Sequence, residues 1–185
     1  MGKVVKLKVK KVRREQKWAR SCFFGAPDLP LHLLDEVDDD EIFVAQIKLK
    51  EFIRNYNSPL LPHKGMLYFF IKLDGYKPII RYQENIEYDE KLMSRVDFND
   101  LIEFDIDITK EYKISFIKQM KKKGTYMMEE DKNNPSLHLD EIVLLHYNQE
   151  ELPQIMNTDG ALQFIISKND LLNRNYDKVR LGILR

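Results

Sequence analysis

The sequence predicts an α+β fold, a mainly antiparallel sheet with a few short helices, in which residues 1–185 form a single domain. Three observations lead there. Hydrophobic residues make up 43% of the chain and aromatics 11%, enough for a sizeable core and too many for a disordered polymer. Apolar and polar residues alternate at period two in several separate stretches, the signature of half-buried strands. Helix signals are confined to short segments with capping-box spacing.

Taken in order, Val5, Leu7 and Val9 alternate with Lys6, Lys8 and Lys10, which reads as a strand with a solvated lysine face. A turn-rich segment runs from Ser21 to Pro30, and an acidic run from Asp35 to Glu41 precedes the apolar strand Ile42 to Ile47. Leu60 to Gly65 reads as a turn into the strand Met66 to Ile71. The Asp74-Gly75 turn signal pairs that strand with Pro78 to Gln83 as a hairpin. Ile102, Phe104, Ile106 and Ile108 alternate with Glu103, Asp105 and Asp107, and Tyr112, Ile114 and Phe116 repeat the pattern. These two stretches are expected to form a second hairpin that sets acids beside Lys113. Residues 121–135, with Gly124 and Pro135 and no consistent period, read as a mobile loop. Asn148 with Glu151, and Ser167 with Asp170, have the spacing of helix starts, and Val179 to Leu184 reads as a final strand.

The chain also resembles itself. Gly65, Leu67, Phe69 and Ile71 recur 95 residues later as Gly160, Leu162, Phe164 and Ile166. Upstream, Glu41-Ile42 and Glu51 recur 100 residues later as Glu141-Ile142 and Glu151. The pattern predicts an internal duplication with repeat-like halves at about 41–74 and 141–170, sharing one core because neither half is large enough to bury its own apolar face.

Ser21-Cys22-Phe23-Phe24-Gly25-Ala26-Pro27-Asp28-Leu29-Pro30 resembles the S-x-F-x-G-x-P-x-L-P opening of the YwqG-like bacterial proteins. Phe43-Val44-Ala45-Gln46-Ile47-Lys48-Leu49 resembles their F-x-A-Q-I-x-L block, and Leu61-Pro62-His63-Lys64-Gly65-Met66-Leu67-Tyr68-Phe69-Phe70 their L-P-x-x-G-x-L-x-F-F block. Asp159-Gly160-Ala161-Leu162-Gln163-Phe164-Ile165-Ile166, with Asp170-Leu171, resembles their closing block. Asn157-Thr158 stands where the family usually has a tryptophan, and the family's Gly-Tyr-Pro middle element is absent, so the chain looks like a shortened or divergent member. The resemblance implies a bacterial, cytoplasmic protein and no established activity.

Charge and motif content narrow the chemistry. Thirty basic residues balance thirty acidic ones, yet the first twenty residues hold nine basic groups and one acid, Glu15. That could mark a polyanion-binding arm, but the alternation fits an edge strand better, so nucleic acid is not expected as the partner. The longest apolar run, Met66 to Ile71, is too short for a membrane span, and no secretory signal is read, so a cytoplasmic location is expected. Cys22, the single cysteine, excludes an internal disulfide and reads as a small buried hydrophobe rather than a nucleophile served by His32, His63, His138 or His146. No metal, cofactor or catalytic site is expected: there is no H-E-x-x-H, no EF-hand in the acidic run, no P-loop and no G-x-G-x-x-G.

A non-enzymatic module that binds a protein partner is the reading these absences leave. One partner class within it is a toxin, neutralised by covering its active site. The alternatives are a small-ligand or hydrolytic site between the repeats, and a polyanion site on the basic segment. The candidate partner or ligand site gathers Phe24, Gly25 and Asp28 from one loop, His63 and Lys64 from a second, and Asp159 and Gly160 from a third, with Gln46 behind them. Gln46, a buried amide, either ties down the Gly25 turn or lines a pocket shared with it.

Overall fold

The computed structural model describes residues 4–12, 18–86, 93–95, 108, 110–119, 124–130, 133–156 and 159–184. Its strands are β1 (Val4–Lys11), β2 (Cys22–Phe23), β3 (Asp28–Pro30), β4 (Glu41–Lys48), β5 (Met66–Lys72), β6 (Lys77–Gln83), β7 (Met93–Arg95), β8 (Tyr112–Gln119), β9 (Tyr126–Glu129), β10 (Glu141–Asn148), β11 (Ala161–Ser167) and β12 (Arg180–Leu184). The α-helices, α1 (Leu31–Leu34), α2 (Leu49–Ile53) and α3 (Lys168–Leu172), are single turns.

Ten strands form one sheet in the order β12-β11-β10-β9-β1-β8-β2-β4-β5-β6, and β3 pairs with β7 outside it. The end strands β12 and β6 come side by side, so the sheet is a nearly closed barrel. The expected α+β class is therefore corrected to a mainly antiparallel β architecture. The helices are too short to form a layer, and the core is the barrel interior, filled by the inward residues of every strand. Met127 and Leu145 belong to that interior along with Leu7, Ile47 and Leu67.

The sheet order reads the same from either end. β1 and β8 pair at its centre, with Leu7 opposite Phe116 and Lys10 opposite Lys113. From that pair outward, β9 answers β2, β10 answers β4, β11 answers β5 and β12 answers β6. The β4–β5 ladder slips between Phe43 and Ala45, and the β10–β11 ladder slips between Val143 and Leu145, the same place. Phe69 and Phe164, which correspond in this scheme, meet each other edge to face with ring centroids 5.2 Å apart. Contact between corresponding residues places an approximate twofold axis between them. The strands from Met66 and from Ala161 thus hold equivalent places.

Three local expectations change. The stretch read as a mobile loop contains β9, which bridges β1 and β10, so tertiary pairing overrides the Gly and Asn signals. β8 pairs with β1 and β2, and Lys113 faces Lys10 across the ladder instead of an acid. Of the acidic alternating stretch 102–108, only Ile108 falls within the described residues. Asn148 and Glu151 close a turn instead of starting a helix, whereas Ser167 does cap α3 by accepting the Asp170 N–H at 3.0 Å. The β5–β6 hairpin forms around Asp74-Gly75 as expected.

Gly65 shows why a glycine opens β5. Its φ is +94°, and a Cβ there would stand 2.3 Å from the Gln83 carbonyl oxygen. Because all pairings are antiparallel, β5 and β11 run in opposite directions. Gly65 and Gly160 therefore lie at opposite ends of the barrel.

Candidate functional site

The expected site divides. Asp28 and Gln46 are brought together: the Gln46 amide accepts the Asp28 N–H at 2.8 Å and donates to the Asp28 carboxylate at 3.0 Å and to the Arg20 carbonyl at 2.7 Å. All of the Gln46 side chain is thereby spoken for, and the amide ties down a loop. Phe24 points into the core against Tyr112 and Tyr147, and Gly25 donates to the Ile108 carbonyl. His63 and Lys64 are exposed, with Lys64 directed to Glu84 and Asn85. Asp159 and Gly160 belong to the far end of the barrel. The three loops do not converge, because the twofold relation sends corresponding loops to opposite ends.

What Asp28 and Gln46 build is a clamp on the outer face of the barrel. Asp28 also accepts the Ala19 N–H at 2.7 Å and pairs with Arg95, whose Nε and Nη2 both lie 2.7 Å from Oδ1. The Arg95 guanidinium in turn covers the Trp18 ring at 4.5 Å. Tyr68 donates its hydroxyl to the Asp28 carbonyl, and burial pushes that phenol's pKa up. Ala19 takes φ +51°, a left-handed turn uncommon for a residue with a side chain. The clamp holds that turn, and the chain leaves the sheet there.

The consequence is a gap in the wall. β2 pairs with β8 only through Cys22 and Phe23, and the last bond between them runs from the Ile114 N–H to the Ser21 carbonyl. Backbone groups alternate sides along a strand, so Ile114, Phe116 and Lys118 present theirs toward β2, while Lys113, Ser115 and Ile117 bond β1. Past Ile114 no described strand pairs with β8 on that side. A groove of about 720 Å3 opens there, with Trp18, Arg20 and Ser21 on one wall, Lys113 to Phe116 on the floor, and Lys48, Glu51 and Arg54 opposite. Ser21 fastens the far wall, since its hydroxyl donates to Glu51 and accepts the Lys48 N–H, both at 2.9 Å.

The groove is basic. Arg20, Arg54 and Lys113 form no ion pair among the described residues. Lys8 and Lys10 of β1 are exposed beside it, Lys10 directly across from Lys113. Sequence reasoning saw the alternating lysines but not the groove, because a wall gap depends on where β2 stops.

A second, smaller concavity of about 340 Å3 occupies the other half, bordered by Tyr126, Glu129, Asn134, Pro135 and His146. His146 stands 100 residues from Gln46 and takes its place opposite Gln163, whose amide nitrogen is 3.0 Å from Nδ1. The Asn134 amide, 3.5 Å from Gln163 Oε1, orients that side chain as donor, so the neutral imidazole keeps its proton on Nε2. His146 also stacks on Tyr126 at 4.2 Å. The Gln46 alignment extended along the repeat would have found it.

Burial lowers the His146 pKa to about 4, with Glu129 and Glu151 opposing weakly. The unfolded imidazole titrates near 6.5, so stability is complete above that pH and falls toward pH 4 as the unfolded chain takes up the proton. Acidifying from pH 7 to 4.5 is expected to cost on the order of 2 kcal/mol through this group. His146→Gln should remove that dependence in urea titrations. Glu141, held below the usual carboxylate range by Arg180, loses its contribution only at lower pH.

Cys22 is buried, and its thiol is pushed upward by desolvation first and by Glu111 and Asp28 next, which disfavours the thiolate. No group of three or more His, Cys, Asp or Glu among the described residues is arranged to hold a metal ion. No described helix is long and apolar enough to cross a membrane. Compared with models of known protein families and with curated proteins, the chain matches none.

Proposed function

We propose that the protein is a non-enzymatic module that binds a protein partner, and that the groove beside β8 is its recognition surface. The observation that carries this is the set of three cations that form no ion pair among the described residues, Arg20, Arg54 and Lys113, around a concave gap that also holds Trp18. Charged side chains left unpaired at a concave site give an opposite surface both steering and register. The partner surface that fits these cations is acidic. A cytoplasmic setting belongs to the same reading, supported by the lone free thiol of Cys22. The likeness to the YwqG-like proteins is part of it too, since their Gln46 block builds the clamp here.

Charge reversal tests it. Arg54→Glu is expected to weaken capture of the partner from native lysate at least tenfold, about 1.4 kcal/mol, with the melting temperature nearly unchanged. Lys77→Glu, at the exposed first residue of β6 away from the groove, should leave capture intact. Equal capture by all three proteins would remove the groove from the function.

A further inference from the structure

Resting on that reading, we propose that the groove takes an extended acidic peptide segment, which adds as a strand to the edge of β8 that no described strand pairs with beyond Ile114. Two features of the wall ask for this occupant. Phe116 and Lys118 turn their N–H and C=O groups toward the gap, following the parity fixed by the Ile114 to Ser21 bond. An unpaired strand edge is a template for another strand, and main-chain bonds are what such an addition supplies. The cations then select the segment's side chains. Lys113 lies on the outer face of β8, and Arg20 stands on the facing wall. Phe116 has the opposite parity and packs on Phe52 inside the barrel. An added strand would set its acids at alternate positions toward Lys113 and Arg20, and β-branched residues between them toward Phe116. Nucleic acid offers the charge but cannot extend the ladder.

The same local geometry explains why the edge is open here. Continuing β2 backward would bring Ala19 opposite Phe116, but Ala19 is turned away and bound by Asp28. No described residue takes that place, and the clamp leaves it for a strand from outside.

The probe is an acetylated, amidated octapeptide alternating Glu and Thr, followed through the emission of Trp18, the only tryptophan in the chain. Two further peptides carry N-methyl groups on every second amide, one set on the Glu residues and one on the Thr residues. Strand addition predicts that one set loses more than tenfold in affinity, while the other stays within about threefold, because only alternate amides face β8. Lys118→Pro should also weaken the unmethylated peptide, since it removes an N–H directed at the gap and leaves the β1 ladder whole. Should that variant fail to fold, the methylated pair still decides. Equal loss in both sets, equal retention in both, or no peptide binding overturns strand addition. Tighter binding of an octanucleotide than of the peptide overturns it as well. If Arg54→Glu still abolishes partner capture in those cases, the binding reading stands without this mode.

Discussion

Asp28→Ala is expected to destabilise the outer face of the barrel by about 4 kcal/mol and to close the groove. One carboxylate holds four groups: the Ala19 N–H, the Gln46 amide, and two nitrogens of Arg95. Its side chain is 3% exposed and that of Arg95 16%, so the truncation takes a buried carboxylate away from a partly buried cation. Breaking a buried pair from one side costs about 3–5 kcal/mol, and each buried donor left without an acceptor about 1–3. Relaxation of the 18–21 segment recovers part of this, which sets the figure near the lower end of the sum. Trp18 loses its cover when Arg95 swings free, so its emission should shift red at denaturant concentrations where the barrel is still folded. Asp28→Asn keeps one acceptor and should cost about half as much. A single unfolding transition unchanged from the parent would show that the clamp is not what holds the segment.

Arg81→Met is expected to cost about 3 kcal/mol or more at pH 7, and Arg180→Met only about 1. The two arginines stand on β6 and β12, two residues out of register with each other, and each grips the glutamate that starts β4 or β10. Arg81 reaches Glu41 with two nitrogens at 2.6 and 3.0 Å, also covers Phe70 at 4.9 Å, and bonds the Glu36 carbonyl. Glu41 is 1% exposed and Arg81 10%, so neither charge has water to fall back on. Arg180 is 38% exposed and Glu141 12%, and solvent screens that pair. Replacing both partners, Glu41→Leu with Arg81→Met, should restore much of the loss, because no buried charge is then left alone. Denaturant midpoints of the three variants check the order. Similar losses for Arg81→Met and Arg180→Met would mean that burial is not the deciding factor.

Much of the framework is legible in the sequence because strand patterning is local. Val5, Leu7 and Val9 against the lysines give β1, and Asp74-Gly75 gives the β5–β6 hairpin. The spacing of Glu41 and Phe69 from Glu141 and Phe164 marks strands that occupy equivalent places. The class is not legible in the sequence because single-turn helices leave the same capping signals as longer ones, and nothing local says that they never form a layer. The second strand of each half was hidden for a different reason. β2 has two residues and β9 four, too few for a period, and both exist because a distant strand pairs with them. Gln46 was legible as a buried amide that needs partners, and Asp28 is among those partners. The groove was not, since Arg20, Arg54 and Lys113 come from three separate elements, and only the end of β2 makes them neighbours.

Amide hydrogen exchange along β8, read residue by residue in the free protein, tests the central claim most directly. The account predicts slow exchange at Lys113, Ser115 and Ile117, which bond β1, and at Ile114, which bonds Ser21. Phe116 and Lys118 should exchange fast, breaking the protection at every second residue once β2 has ended. Slow exchange at Phe116 and Lys118 would mean that this edge already has a partner, and the open groove would then be contradicted.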